Sequence, residues 1–263
     1  MRTETHSSAP PTLDARSWYR CRRPQQDPRL RIICFPHAGG SASFFRSWPE
    51  HLPEGVELVA AQYPGRGDRL DEPAPAELRR LADHAAAALQ PLLDRPYVLF
   101  GQSMGALVAY EVALRLEAAG LRTPVRLVVS SCAAPSGKHR SRGLGRAGDE
   151  ELLRGLREIG GDDVRLPTDP ELLSLILPVT RADMAMADRY LPLPATAVSA
   201  PVTAVAGDTD TGVDLSQASL WARHTTGGFG MQVFPGGHFY LVGQEERLIG
   251  NIMRLVTETD TGD

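Results

Sequence analysis

The sequence has no long apolar run. No stretch reaches the ~18 consecutive apolar residues that a membrane-spanning helix needs. Met1 to Arg16 is polar and contains proline, with no apolar segment of the kind that directs secretion. Neither a membrane span nor export is therefore expected, and residues 1–16 are expected to be a disordered tail. Cysteine is scarce: Cys21, Cys34 and Cys132 are odd in number, far apart, and never form a Cys-x-x-Cys pair. That pattern argues against a disulfide scaffold and suits a reducing cytoplasm. There is no excess of basic charge, since 28 Lys+Arg stand against 32 Asp+Glu for a net charge of −4. A general nucleic-acid binder is thereby disfavoured. The histidines and cysteines lack metal-ligand spacing, no dinucleotide fingerprint occurs, and no internal repeat is present, so neither a metal nor a cofactor is expected.

What is present is an alternation of apolar strand-like runs and helical patterns over 263 residues. Arg29–Phe35, Val56–Ala61, Tyr97–Phe100, Val125–Ser131, Val202–Ala206 and Met231–Phe234 read as buried strands. Helical patterns fall at Ala42–His51, Ala76–Leu93, Ala106–Ala119 and from Glu245 to about Thr257. Such alternation predicts an α/β fold, a mainly parallel sheet with helices on both faces, in one domain spanning 17–263. From about residue 134 to 198 the strands stop. A basic loop, with Lys138, Arg140, Arg142 and Arg146, leads into helical segments at Asp149–Ile159, Asp169–Leu177 and Val179–Tyr190. An inserted helical stretch after a central strand reads as a lid over a site.

The chemistry is written at Gly101-Gln102-Ser103-Met104-Gly105. A G-x-S-x-G between an apolar strand and a helix is the context of a nucleophile elbow, in which the serine sits on a strained turn at the helix N-terminus. A serine hydroxyl needs a general base, and the base needs an orienting carboxylate. On this kind of fold they follow in the order Ser, Asp or Glu, His. His238 follows the last strand in Pro235-Gly236-Gly237-His238 and is the candidate base. After the strand Val202–Ala206 come Gly207-Asp208-Thr209-Asp210. Asp210 is preferred as the carboxylate, with Asp208 as a turn-capping alternative and Asp214 behind both. An oxyanion hole requires two backbone N–H groups. Met104 supplies one, and Ala38, in the loop Pro36-His37-Ala38-Gly39-Gly40, is chosen for the other. Substrate contacts are expected from His37 and Phe239 beside the strand ends, and from Met184 and Tyr190 in the insertion.

Longer stretches carry a resemblance. Phe35-Pro36-His37-Ala38-Gly39-Gly40-Ser41-Ala42, Gln62-Tyr63-Pro64-Gly65-Arg66-Gly67, the elbow with Ala109-Tyr110-Glu111, Leu177-Pro178 with Arg181-Ala182-Asp183, and Gly236-Gly237-His238-Phe239-Tyr240-Leu241 span about residues 17–256. On these the chain resembles the type II thioesterases, free-standing editing enzymes of polyketide and non-ribosomal peptide assembly lines. It departs from them at Gln102, where the family usually has histidine. The resemblance implies an α/β-hydrolase fold and hydrolysis, through an acyl-serine, of short or aberrant acyl groups. These are carried on the phosphopantetheine arm of an acyl or peptidyl carrier protein, a transient partner. It further implies no cofactor of the enzyme's own and a cytoplasmic monomer. A general carboxylesterase, a product-releasing thioesterase or acyltransferase, and a non-catalytic module on the same fold remain as alternatives.

Overall fold

The computed structural model describes residues 15–137, 143–161, 166–194 and 196–260. Its strands are β1 (Tyr19–Arg20), β2 (Leu30–Phe35), β3 (Val56–Ala61), β4 (Tyr97–Gln102), β5 (Arg126–Ser130), β6 (Val202–Gly207) and β7 (Phe229–Phe234). Its α-helices are α1 (Ala15–Trp18), α2 (Leu78–Leu89), α3 (Met104–Ala118), α4 (Asp149–Gly160), α5 (Pro170–Asp188), α6 (Leu215–Ser219) and α7 (Glu245–Asp260). Among the described residues the strands form one sheet in the order β1-β3-β2-β4-β5-β6-β7. All neighbours run parallel except β1, which pairs antiparallel with β3.

Strand side chains alternate between two apolar layers, as the period of an extended chain requires. Ile33, Phe35 and Leu99 face α2 and α3, whose Ala85, Leu89, Leu107 and Val112 are buried there. Ile32, Cys34, Val98 and Phe100 face the other way, onto Phe45, Trp48 and the α7 residues Leu248, Ile249 and Ile252. Burial on both faces explains why these strands read as largely apolar runs without a polar face.

Adjacent strands β2 and β4 are the topological switch point, since the chain proceeds outward to β3 from one and to β5 from the other. Crevices at carboxyl strand ends beside such a point are where sheets of this kind place ligands. Here Phe35 pairs with Gly101, so the loop after β2 and the elbow after β4 open side by side.

Several expectations change. The segments expected at 169–177 and 179–190 are one helix, α5, running through Pro178. An internal proline costs about 3 kcal/mol. Burial of Leu177, Val179, Thr180, Asp183 and Met186 on both sides of it holds the helix together, and Asp169 caps its start by accepting the Glu171 N–H at 2.8 Å. Residues 42–51 form two 3-10 turns, Ala42–Phe45 and Trp48–Glu50, rather than one helix. Strand β1 was not expected, because two residues carry no periodic signal. The expected tail lies outside the described residues up to residue 14, and residues 15 and 16 belong to α1. Residues 138–142 of the basic loop also lie outside them. Among the described residues no helix is long and apolar enough to cross a membrane.

Candidate active site

Strand β4 ends at Gln102 and α3 starts at Met104, so Ser103 alone makes the turn between them. Its backbone sits at φ +54°, ψ −121°, a conformation that L-residues rarely adopt. The turn closes only because its neighbours lack side chains. A Cβ on Gly101 would lie 2.3 Å from the Gly105 oxygen, and one on Gly105 would lie 2.1 Å from the Phe35 oxygen. The Ser103 N–H donates to the Ser130 carbonyl at 2.8 Å, which ties the elbow to β5.

His238 Nε2 lies 3.0 Å from Ser103 Oγ, and His238 Nδ1 lies 3.0 Å from each oxygen of Asp210. The Asp210 side chain is sealed from solvent at 0% exposure. Its Oδ1 also accepts the N–H groups of Gly212 at 2.8 Å and Val213 at 3.2 Å. Burial alone would push the Asp210 carboxyl up. Its hydrogen bond and attraction to His238, with the Gly212 N–H, outweigh that and hold it below the ordinary carboxylate range. Asp208 is exposed and accepts the Gly236 N–H at 2.8 Å, shaping the turn that carries His238. Asp214 caps α6 through the Ser216 N–H at 2.8 Å.

Ala38 and Met104 line the same cavity as Ser103. Met104 is the first residue of α3, where an N–H has no acceptor within the helix. Across from it, Gly39 N–H donates to Asp183 Oδ2 and Gly40 N–H to the His37 carbonyl, leaving Ala38 as the loop N–H at the cavity. That cavity measures about 250 Å³. Ser103, His238, Ala38 and Met104 line it together with apolar residues that include Leu144, Leu156, Ile159, Ile176 and Met184. A hydroxyl, an imidazole and a carboxylate in series beside an apolar hollow can carry out acyl transfer through a serine ester.

A thioesterase-domain family model matches residues 30–256. Thioesterase PikA5 of Streptomyces venezuelae is 39% identical over 244 residues, covering 92% of this chain and 86% of PikA5. Among solved structures, the type II thioesterase BorB from the borrelidin biosynthetic cluster superposes with a TM-score of 0.84 at 36% identity, covering 96% of this chain and all of BorB. RedJ, a thioesterase from the prodiginine pathway of Streptomyces coelicolor, gives 0.81 at 37% identity, covering 87% of this chain and 91% of RedJ. The chain belongs to the thioesterase family. It is a serine hydrolase on an α/β-hydrolase fold, close to type II thioesterases of polyketide and peptide pathways.

Of the side chains expected to contact substrate in this thioesterase, His37, Met184 and Phe239 line the cavity. Tyr190 does not: it is buried against the core, and its hydroxyl donates to Glu111 Oε1 at 2.8 Å. Its position just past the end of α5 turns it toward α3, away from the cavity. The His37 ring packs edge-on against Phe44 and Phe239, with centroids 4.6 and 4.8 Å away. Burial, then the nearby His238 and Arg66, push its pKa down to about 3, so it stands neutral in the site.

Three side chains had no role assigned from the sequence. Gln102 is buried and donates to the His238 carbonyl at 2.8 Å. Arg66 and Asp183 form a buried ion pair between the loop after β3 and α5. A signal for the pair existed: Asp183 lies on the same helix face as Val179 and Met186, and a carboxylate on a buried stripe demands a buried partner. Among the described residues no group of three His, Cys, Asp or Glu side chains is placed to hold a metal ion.

Proposed function

We propose that this thioesterase hydrolyses short or aberrant acyl groups from the phosphopantetheine arm of acyl or peptidyl carrier proteins, an editing role in polyketide or non-ribosomal peptide synthesis. The observation that carries it is the run of 3.0 Å contacts from Ser103 through His238 to Asp210, opening onto an apolar cavity. The type II relatives supply the substrate class.

Ser103 Oγ gives its proton to His238 Nε2 and attacks the thioester carbonyl. The Ala38 and Met104 N–H groups receive the oxyanion. The tetrahedral intermediate collapses, the C–S bond breaks, and His238 returns the proton to the leaving thiolate. His238 then takes a proton from water, which attacks the acyl-serine; the ester C–O bond breaks, the acid leaves, and His238 returns the proton to Ser103 Oγ. Asp210 fixes the imidazole tautomer throughout. The enzyme needs no cofactor of its own, since the arm travels with the substrate. The stretch from about 134 to 198, including α4 and α5, acts as the lid. We read the protein as a cytoplasmic monomer that meets its carrier transiently.

The test is hydrolysis of acetyl- and propionyl-loaded carrier protein by wild type and Ser103→Ala, followed by intact-mass spectrometry. Loss of the acyl mass with wild type alone supports the reading. No loss with either, while a fluorophosphonate still labels Ser103, moves the substrate to another ester class. Loss with both overturns the nucleophile.

A further inference from the structure

The loop from His37 to Gly40 has its peptide units held by separate partners. The Gly40 N–H donates to the His37 carbonyl at 2.9 Å. That carbonyl and the Ala38 N–H belong to one planar trans peptide, so they point in opposite directions. Turning the His37 carbonyl inward to Gly40 turns the Ala38 N–H outward. The next N–H, of Gly39, donates to Asp183 Oδ2 at 2.8 Å. The Gly40 carbonyl accepts from Arg66 Nη1 at 3.2 Å. Arg66 and Asp183 are themselves joined twice, Nη1 to Oδ2 at 2.5 Å and Nη2 to Oδ1 at 3.0 Å. One ion pair therefore grips both ends of the Gly39-Gly40 dipeptide.

The pair is sealed, with Arg66 5% and Asp183 1% exposed. Burying two charges costs desolvation that an apolar pair of similar size would avoid, so fastening α5 down does not by itself call for it. Apolar side chains, however, could not accept the Gly39 N–H. The fit is close on the other side as well. Gly39 has φ +75°, and a Cβ there would lie 2.2 Å from Thr180 Oγ1, one turn before Asp183 on α5.

We propose that Asp183, clamped by Arg66, is the positioning residue of the oxyanion loop. It holds the Gly39 N–H, and through the turn it aims the Ala38 N–H at the oxygen on which charge develops. Its own helix carries Thr180 and Met184 into the cavity wall, so the acyl wall and the oxyanion donor share one support. This rests on the reading of Ser103 as nucleophile and Ala38 as oxyanion donor.

The experiment measures kcat and KM on the propionyl thioester of N-acetylcysteamine. Rates are normalised to the active sites counted by end-point fluorophosphonate labelling and intact mass. Asp183→Ala is expected to lower kcat per labelled site about 100-fold, in the range for losing an oxyanion donor, with KM within about threefold. Inhibition by a trifluoromethyl ketone, which forms an oxyanion on Ser103, should weaken in step with kcat. Asp183→Asn keeps an oxygen for the Gly39 N–H and should recover activity to within about tenfold of wild type. A wild-type kcat per labelled site in Asp183→Ala, with only fewer sites labelled, overturns the proposal by showing a purely structural role. If Asp183→Ala does not fold, Arg66→Lys carries the test. It keeps the charge but loses the fork that reaches both Asp183 and Gly40. About a tenfold fall in kcat at unchanged KM supports the proposal, and an unchanged kcat per site overturns it. Turnover of the same thioester by Ser103→Ala would instead bring down the nucleophile reading beneath it. With Ser103→Ala inactive, a wild-type kcat per labelled site in the Asp183 and Arg66 variants counts against positioning alone.

Discussion

Gln102 Nε2 donates a hydrogen bond to the main-chain oxygen of His238 across 2.8 Å. The residue before the proposed nucleophile thus holds the residue proposed as its base, from inside the core. Gln102→Leu would leave the His238 carbonyl unpaired in a buried place, at a cost of about 1–3 kcal/mol. The expected outcome is a lower urea midpoint together with a lower kcat. A wild-type midpoint would show that this bond does not hold the His238 turn.

Asp208 and Asp210 are two residues apart and are expected to behave differently. Asp210→Asn keeps the shape but favours the wrong imidazole tautomer, a change that costs a serine triad about 10⁴-fold in kcat. Asp208→Asn loses only the charge of an exposed acceptor for the Gly236 N–H, so its kcat should stay within about threefold of wild type. Steady-state thioester hydrolysis by the two variants checks the assignment.

The Ser103 backbone stores strain that glycine would release. Positions of this kind cost about 1–3 kcal/mol in a residue with a Cβ. Ser103→Gly and Ser103→Ala should both be inactive, but the glycine variant should melt at the higher temperature. Equal melting temperatures by calorimetry would mean that the elbow is not strained.

His37 makes the fold sensitive to acid. Its folded pKa, about 3, lies below the unfolded value near 6.5. Between those values the unfolded chain takes up a proton that the folded one refuses. Stability therefore falls as pH drops below about 6.5 and stops falling on this account near pH 3. The slope is at most about 1.4 kcal/mol per pH unit. Burial lowers His224 as well, ahead of a partly opposing hydrogen bond to Thr196, and it adds in the same direction. His37→Phe keeps a ring against Phe44 and Phe239 but takes up no proton. Its urea midpoint should fall less between pH 6.5 and pH 4 than that of wild type. An identical fall in both would place the acid sensitivity elsewhere.

Much of the fold was legible because the two-sided burial of β2 to β6 leaves largely apolar runs, most of them followed within a few residues by glycine or proline. Strand β1 was not legible, since it exists only because β3 offers an edge to pair with. The run of α5 through Pro178 was not legible either. Local rules end a helix there, and only burial on both sides of the proline reverses them. In the site, Ser103 and His238 stand beside glycines whose spacing marks a forced turn. Tyr190 carried an apolar ring and no indication of direction, and the core claimed it through Glu111.

By itself the sequence marked the candidate reactive groups and their order along the chain. A G-x-S-x-G between strand and helix, and an aspartate and a histidine each just past a strand end, follow from short-range sterics and periodicity. The tertiary structure alone decided which distant groups meet. Ser103 and His238 are 135 residues apart, and Arg66 and Asp183 are 117 apart. Their contacts exist because parallel pairing brings the carboxyl ends of β2, β3, β4, β6 and β7 to one edge, and because α5 packs back across that edge. The different surroundings of Asp210 and Asp208 arise in the same way. Both carboxylates leave the end of β6, but the turn buries one under His238 and leaves the other in solvent.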